Sequence, residues 1–350
     1  MVHAFVFAQS VPQAALDACS RDTGARVELT TYESNEELVA GLHARPGTYD
    51  IVMPSDYTVD ALATAGALRP LDLAVIPNYN NITPGFLSPW FDPGGLAQSA
   101  RGRPRNEKYS LPWLWGTTGI IYDPGAVVPA PTRWADLWNP AYAGHLVLPD
   151  DPRELLGIAL LALGYSKNDT SPAHLDAARD KLIPLVQGAV ALDANAPETS
   201  LLNGPTGGPV ATIGVVFSGN AVLARRGNPA LRYVLPAEGG GIWFDNLAIP
   251  KDAPNPAAAQ AWINCLLSAD NGAETLLELP HSTPNEAALA SLKLRDLPRW
   301  TAYTEDPIST PSKEAVDLAS PVKNVGPESQ ERFEAAWALV LAARTSGGAL

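Results

Sequence analysis

Strand and helix signals alternate through the first part of the chain, and that alternation leaves few folds open. Pro12 to Arg21 reads as a helix, closed by Gly24 just beyond its end. Arg26 to Thr30 reads as a strand. Ser34-Asn35-Glu36-Glu37 is a capping box that opens a helix running to about His43. Tyr49 to Met53 reads as a buried strand, and Tyr57 to Ala65 as a helix stopped by Gly66. Such an order predicts an α/β layer with a mainly parallel sheet.

A second run of the same kind follows. Thr118 to Tyr122, Leu146 to Leu148, Thr212 to Phe217 and Arg232 to Leu235 read as strands. Arg153 to Leu163 is a helix apolar enough to be largely buried. Ser218-Gly219-Asn220 opens a helix to about Arg226, and Asn255-Pro256 caps one running to about Leu267. In the last helix, Phe333, Trp337, Val340, Leu341 and Arg344 keep three- and four-residue spacing, so one face docks on the body. Residues 90–110 break the pattern. Asp92-Pro93-Gly94-Gly95 and the cluster Arg101-Gly102-Arg103-Pro104-Arg105 read as an exposed loop. At 350 residues the chain is too long for one comfortable core, which predicts two lobes.

Composition narrows function mainly by exclusion. An apolar fraction of 46% with 17% charged residues belongs to a folded protein, not a disordered one. A net charge of -13 repels nucleic acid and anionic membrane, so neither is an expected partner. No segment has the length of apolar sequence a transmembrane helix needs. Met1-Val2-His3-Ala4-Phe5-Val6-Phe7-Ala8 lacks a basic stretch before an apolar one and reads as a first strand, not a signal peptide. Two cysteines, Cys19 and Cys265, make neither a four-ligand metal site nor a disulfide framework, and Cys265 reads as a small core residue. Phosphate loops, dinucleotide turns, His-Glu-x-x-His pairs and serine elbows are all missing, and the five histidines are scattered. No catalytic residue, cofactor or metal is therefore assigned; a triad assembled from distant residues, and with it an enzyme, stays open as an alternative.

Eight strings in order carry a resemblance. They are Thr31-Tyr32-Glu33-Ser34-Asn35-Glu36, Tyr49-Asp50-Ile51-Val52-Met53-Pro54-Ser55-Asp56-Tyr57, Ser110-Leu111-Pro112-Trp113-Leu114-Trp115-Gly116 and Trp134-Ala135-Asp136-Leu137-Trp138. After them stand Asp150-Asp151-Pro152-Arg153-Glu154, Glu238-Gly239-Gly240-Gly241-Ile242-Trp243-Phe244-Asp245, Asn246-Leu247-Ala248-Ile249-Pro250 and Thr283-Pro284-Asn285. Their order and spacing resemble the spermidine/putrescine-binding proteins of bacterial ABC transporters, from about Phe7 to the final helix. The resemblance implies a two-lobe periplasmic-binding-protein fold, each lobe a mixed sheet flanked by helices, with the ligand in the cleft. It places crossings near Trp115, Asp245 and Ala290. Lobe 1 would be 1–115 plus 246–289, and lobe 2 would be 116–245 plus 290–350. The implied protein is a periplasmic or extracellular monomer. It captures a small amine by cleft closure and delivers it to an ABC transporter permease.

A polyamine pocket needs a carboxylate for each ammonium, because an unpaired desolvated cation is costly. It also needs aromatic faces, worth about 0.5–2 kcal/mol per cation contact. The resemblance transfers Ser55 and Tyr57 as hydroxyl and wall contacts, and Asp151 and Glu154 as ammonium acceptors. It makes Trp243 an aromatic wall, Asp245 the carboxylate beside it and Phe217 a stacking ring where the family has tryptophan. Each has a plainer alternative. Asp151 and Glu154 suit a helix N-terminus, Trp243 suits a core, Asp245 suits a turn, and Ser55 and Tyr57 suit a cap and a surface ring.

Departures from the family pattern cluster. Gln9, in Phe7-Ala8-Gln9-Ser10, stands where the family has a glutamate that meets one ammonium. His281 stands for a tyrosine, Ala194 for a serine, and Val322, beside Lys323, for a glutamine. The expectation is one ammonium held by Glu154, Asp245 and Trp243, with the other end of the ligand shorter, uncharged or anionic. Putrescine-like diamines fit if Asp151 serves a second ammonium. A γ-amino acid fits if His281, Gln9 or Lys323 meets its carboxylate.

Overall fold

The computed structural model describes residues 1–92, 107–203, 208–279 and 281–347. The chain packs into two compact units, Met1–Trp115 with Phe244–Thr310 and Gly116–Trp243 with Pro311–Leu350. The strands are β1 (Val2–Phe7), β2 (Val27–Tyr32), β3 (Ile51–Val52), β4 (Leu68–Arg69), β5 (Ser110–Tyr122), β6 (Leu146–Leu148), β7 (Ala189–Leu192), β8 (Ile213–Phe217), β9 (Arg232–Val234), β10 (Gly241–Pro250) and β11 (Ser320–Pro321). The helices are α1 (Gln13–Thr23), α2 (Asn35–Ala44), α3 (Asp56–Thr64), α4 (Pro152–Ala162), α5 (Pro172–Gln187), α6 (Glu198–Leu202), α7 (Ser218–Gly227), α8 (Pro256–Leu266), α9 (Ala269–Glu278), α10 (Glu286–Arg295), α11 (Leu297–Glu305), α12 (Lys313–Leu318) and α13 (Pro327–Gly347). Both β5 and β10 pass from one unit into the other.

The first unit is a mixed sheet. β1 lies parallel between β2 and β3, in the register Val2↔Val27 and Phe5↔Val52. The second half of β10 runs antiparallel to β3 and β4. Phe5, Tyr32, Tyr49 and Leu38 fill its core, with the Phe5 and Tyr49 rings stacked at 4.5 Å. The N-cap half of the expected capping box is present, since the Ser34 side chain accepts from Glu37 N–H, but the Glu37 carboxylate accepts from Glu33 N–H, one residue before the cap.

The second unit is also mixed. β6 is parallel to β8 and β7, β5 is antiparallel to β8 and β9, and the start of β10 pairs in parallel with β11. Helix α4 is buried on nearly every face, and Leu155, Leu156 and Leu160 pack with Trp134, Leu182 and Phe333. The α13 positions Phe333, Trp337 and Val340 are the face that docks, as their spacing predicts. Arg153 is buried on α4 because its guanidinium sits 4.2 Å over the Phe333 ring and donates to Gln330 and to the Lys323 carbonyl.

Three expectations are corrected. The chain leaves the first unit for the last time at Thr310, not near Ala290, and the β10 boundary falls at Trp243/Phe244. Residues 290–310 stay with the first unit because Ala288, Leu292 and Tyr303 pack on Ala273 and Leu276. In addition, Tyr303 Oη donates to the His281 carbonyl and Ser282 Oγ to the Ser309 carbonyl. The segment read as a loop at 90–110 is buried at both ends. The Asp92 carboxylate accepts from the Tyr109 and Ser110 N–H groups and lies 3.5 Å from Lys108 Nζ. Its turn at Pro93-Gly94-Gly95 and its arginine cluster at 101–105 lie outside the described residues.

The third correction concerns the cysteines. Cys19 on α1 and Cys265 on α8 form a disulfide across 246 residues of sequence. Both are buried, and Cys265, read as a small core residue, is a bridging one; the pairing depends on α1 packing against α8, which spacing does not reveal. A cross-link of this kind restricts the unfolded chain and stabilises by about 2–4 kcal/mol. The Cys19→Ser/Cys265→Ser variant should melt on the order of 5–10 °C lower than the oxidised protein, checked by calorimetry. An unchanged melting temperature would show that the bond does not constrain the fold.

Candidate ligand-binding site

On the first unit the site is built around Asp245. Ser55 and Asp245 meet in an antiparallel bridge, and Ser55 Oγ donates to Asp245 Oδ1 at 2.8 Å. Ser55 stands at the N-cap of α3, where a serine usually accepts from the helix. Its hydroxyl makes no such bond here. Asn35, at the start of α2, fixes the serine instead: Asn35 Nδ2 donates to Ser55 Oγ and Ser55 N–H donates to Asn35 Oδ1, both at 3.0 Å. The serine is thereby oriented as a donor toward the carboxylate. Tyr57 is buried and donates to Glu36 Oε1 at 3.1 Å.

Burial pushes the Asp245 carboxyl up to about 7, and the Ser55 hydrogen bond acts in the opposite direction. Among the described residues no lysine or arginine pairs with Asp245. The same unit carries a group of aromatic rings, one of them from Phe244, the residue before Asp245 on β10. Phe244 lies face to face with Trp115, 6.3 Å between centroids and 21° between planes, and Phe86 is 5.7 Å from Trp115. Trp115 Nε1 is buried with no hydrogen-bond partner among the described residues. Trp115 N–H donates to the Ser282 carbonyl, which brings the neighbouring His281 into this unit. Burial lowers the His281 imidazole to about 4, against a hydrogen bond with the Gln9 backbone. His281 is therefore neutral near pH 7 and does not supply the cation that a ligand carboxylate would need. Gln9 is exposed in a left-handed turn, φ 55°.

On the second unit the expected acceptors are engaged by the protein itself. Asp151 is the N-cap of α4, and its Oδ1 accepts from Glu154 N–H at 2.8 Å. The helix-terminus alternative thus accounts for part of its carboxylate. Glu154 is 5% exposed, and Lys167 Nζ donates to both of its oxygens, at 2.7 and 2.8 Å. The ammonium on Glu154 here is the protein's own, from Lys167. Lys323, offered for a ligand carboxylate, is exposed and makes its bonds through its backbone, donating to Asn168 and accepting from Arg153.

Trp243 and Phe217 form the aromatic part of this unit, edge to face at 5.9 Å and 82°. Gly116 makes the placement of Trp243 possible. A Cβ there would fall 2.5 Å from Trp243 Cζ2 and 2.4 Å from Ser218 Oγ. That serine oxygen accepts from Thr117 N–H at 3.2 Å.

Asn35, Trp115 and Lys167 are the site residues that sequence reading missed. Asn35 and Trp115 both lie inside the recognised strings, so the strings held a signal that roles assigned residue by residue passed over. Lys167 lies in the turn after α4, and nothing local announces that it folds back thirteen positions to Glu154.

With this geometry in view, residues 14–305 match the family model of bacterial extracellular solute-binding proteins. The chain belongs to that family. It is 37% identical over 280 residues to the spermidine/putrescine-binding periplasmic protein of Escherichia coli, covering 79% of this chain and 76% of that one. It is 31% identical to spermidine/putrescine-binding periplasmic protein 1 of Haemophilus influenzae, covering 89% and 81%. The substrate-binding protein of a Streptococcus pneumoniae spermidine/putrescine ABC transporter superposes with a TM-score of 0.73 at 31% identity, covering 98% and 99%. A structure from Listeria monocytogenes reaches a TM-score of 0.85 at 29% identity, covering 97% and 98%. This extracytoplasmic solute-binding protein is not an enzyme. Its disulfide suits an oxidising compartment, and no described helix is long and apolar enough to cross a membrane.

Two outcomes follow from the site's construction. Gly116→Ala should displace the Trp243 ring and weaken ligand binding at least tenfold by titration calorimetry, with the fold kept by circular dichroism. The second concerns stability. A carboxyl near 4 in the unfolded chain and about 7 in the fold disfavours the anion, so stability falls as pH rises through that interval. Asp245→Asn should then raise the melting temperature of the ligand-free protein at pH 8 by about 2–4 °C, and by less at pH 5. A lower melting temperature at pH 8 would contradict it.

Proposed function

We propose that this solute-binding protein captures a small aliphatic amine of the spermidine/putrescine class and delivers it to the permease of an ABC importer. The observation that carries the reading is Asp245: a partly buried carboxylate, oriented by a serine, in the unit that also holds the stacked rings of Trp115 and Phe244, and lacking a cation among the described residues. Removing a carboxylate from water is unfavourable unless a cation meets it. An ammonium is that cation, and the rings of Trp115 and Phe244 offer their faces to its methylenes.

The remaining roles are assigned on the same basis. Ser55 and Asn35 hold Asp245 in place, and Tyr57 and the neutral His281 offer polar atoms without positive charge. Trp243 and Phe217 present apolar faces on the second unit. Asp151 is committed to the start of α4, and Gln9 contributes an amide where a second carboxylate would favour longer polyamines. The partner is the importer's permease, the binding protein acts as a monomer, and nucleic acid is not a partner. Names of the relatives support the ligand class: besides the spermidine/putrescine binders, they include a putrescine/cadaverine-binding and a putrescine/agmatine-binding protein of Pseudomonas aeruginosa, each 28% identical.

A thermal-shift series with putrescine, cadaverine, spermidine, γ-aminobutyrate and common amino acids tests this reading. A ligand at 100 times its Kd adds about 2.7 kcal/mol, so at least one amine should raise the melting temperature by about 5–10 °C. If no amine moves it, the reading fails.

A further inference from the structure

Lys167 and Glu154 form a buried ion pair in the second unit. The lysine is 2% exposed and its Nζ donates to both carboxylate oxygens. The pair is built into the fold. The Lys167 stem crosses α4 over Gly157, where a Cβ would fall 2.5 Å from Lys167 Cγ. The pair also lies against β10 and β5, the strands that carry Trp243 and Gly116. A Cβ on Gly241 would meet Glu154 Oε1 and Thr118 Oγ1, each at 2.7 Å. Thr118 Oγ1 is buried with no hydrogen-bond partner among the described residues. Gly241 and Thr118 each stand two residues along their strand from Trp243 and Gly116, about 7 Å away. An unpaired charge within about 7 Å of a ligand cation, in a medium of ε about 20, would change the cation's binding constant by tens of fold.

We propose that Lys167 determines specificity: its ammonium neutralises Glu154 from inside the protein, so the second unit receives an uncharged part of the ligand and not an ammonium. Selection for positive charge then runs through Asp245, and the ligand carries fewer ammonium groups than spermidine. This rests on the reading that the chain binds an amine, and it narrows which amine.

Titration calorimetry on wild type, Lys167→Met, Glu154→Gln and the double variant tests it, using spermidine, putrescine and γ-aminobutyrate as ligands. Lys167→Met leaves Glu154 without its cation and should raise the ratio of spermidine to γ-aminobutyrate affinity at least tenfold. Glu154→Gln leaves the ammonium alone and should lower that ratio at least tenfold. The double variant should return to within about threefold of wild type. A structural role alone would weaken all three ligands together and leave the ratio in place, which would overturn the proposal. If Lys167→Met does not fold, the ratio in Glu154→Gln decides: a tenfold fall supports the proposal and no change overturns it. Wild type binding none of the three would defeat the amine reading itself. Binding that is lost in Asp245→Asn, with ratios unmoved in the other variants, would defeat only the role of Lys167.

Discussion

A carboxylate withdrawn from water must be matched by a cation, and two carboxylates of this protein meet that requirement differently. Glu154 is matched internally by Lys167. Asp245 is met by a serine hydroxyl, which hydrogen-bonds the anion without neutralising it. The consequence is visible in its proton affinity, pushed up to about 7. On the proposed reading, a carboxylate in this state is the place for a cation from outside, and the aromatic rings of the same unit receive the methylenes attached to it.

The surrounding structure serves to keep Asp245 where it is. Asn35 and Ser55 come from the starts of α2 and α3, so two helix starts converge on one residue of β10. The disulfide ties α1 to α8 in the same unit. Burial of Asp245 without a cation costs stability, and the disulfide and core packing of the same unit add to it.

Much of this was legible in the sequence. Strand and helix positions followed from periodicity and caps, and the docking face of α13 from its spacing. Asp245, Ser55 and Trp243 were named from strings that resemble a known family. What spacing could not carry was anything depending on distant chain reversal. The Cys19–Cys265 bond, the return of 290–310 to the first unit and the reach of Lys167 to Glu154 each require tertiary packing that no local pattern encodes. The last of these inverted the expected balance of charge. Glu154 and Asp245 were expected to share one ammonium, yet Glu154 is paired with Lys167 while Asp245 has no lysine or arginine partner among the described residues.

Whether Asp245 is the anion that receives the ligand can be read directly from the pH dependence of binding. Calorimetric titration of putrescine from pH 5.5 to 8.5 should show affinity rising about tenfold per unit up to about 7 and levelling off above it, since only the ionised carboxylate attracts an ammonium. Asp245→Asn should weaken binding by roughly 2–5 kcal/mol and flatten the profile. Affinity independent of pH, and equal in the variant, would place the ligand's charge on some other group.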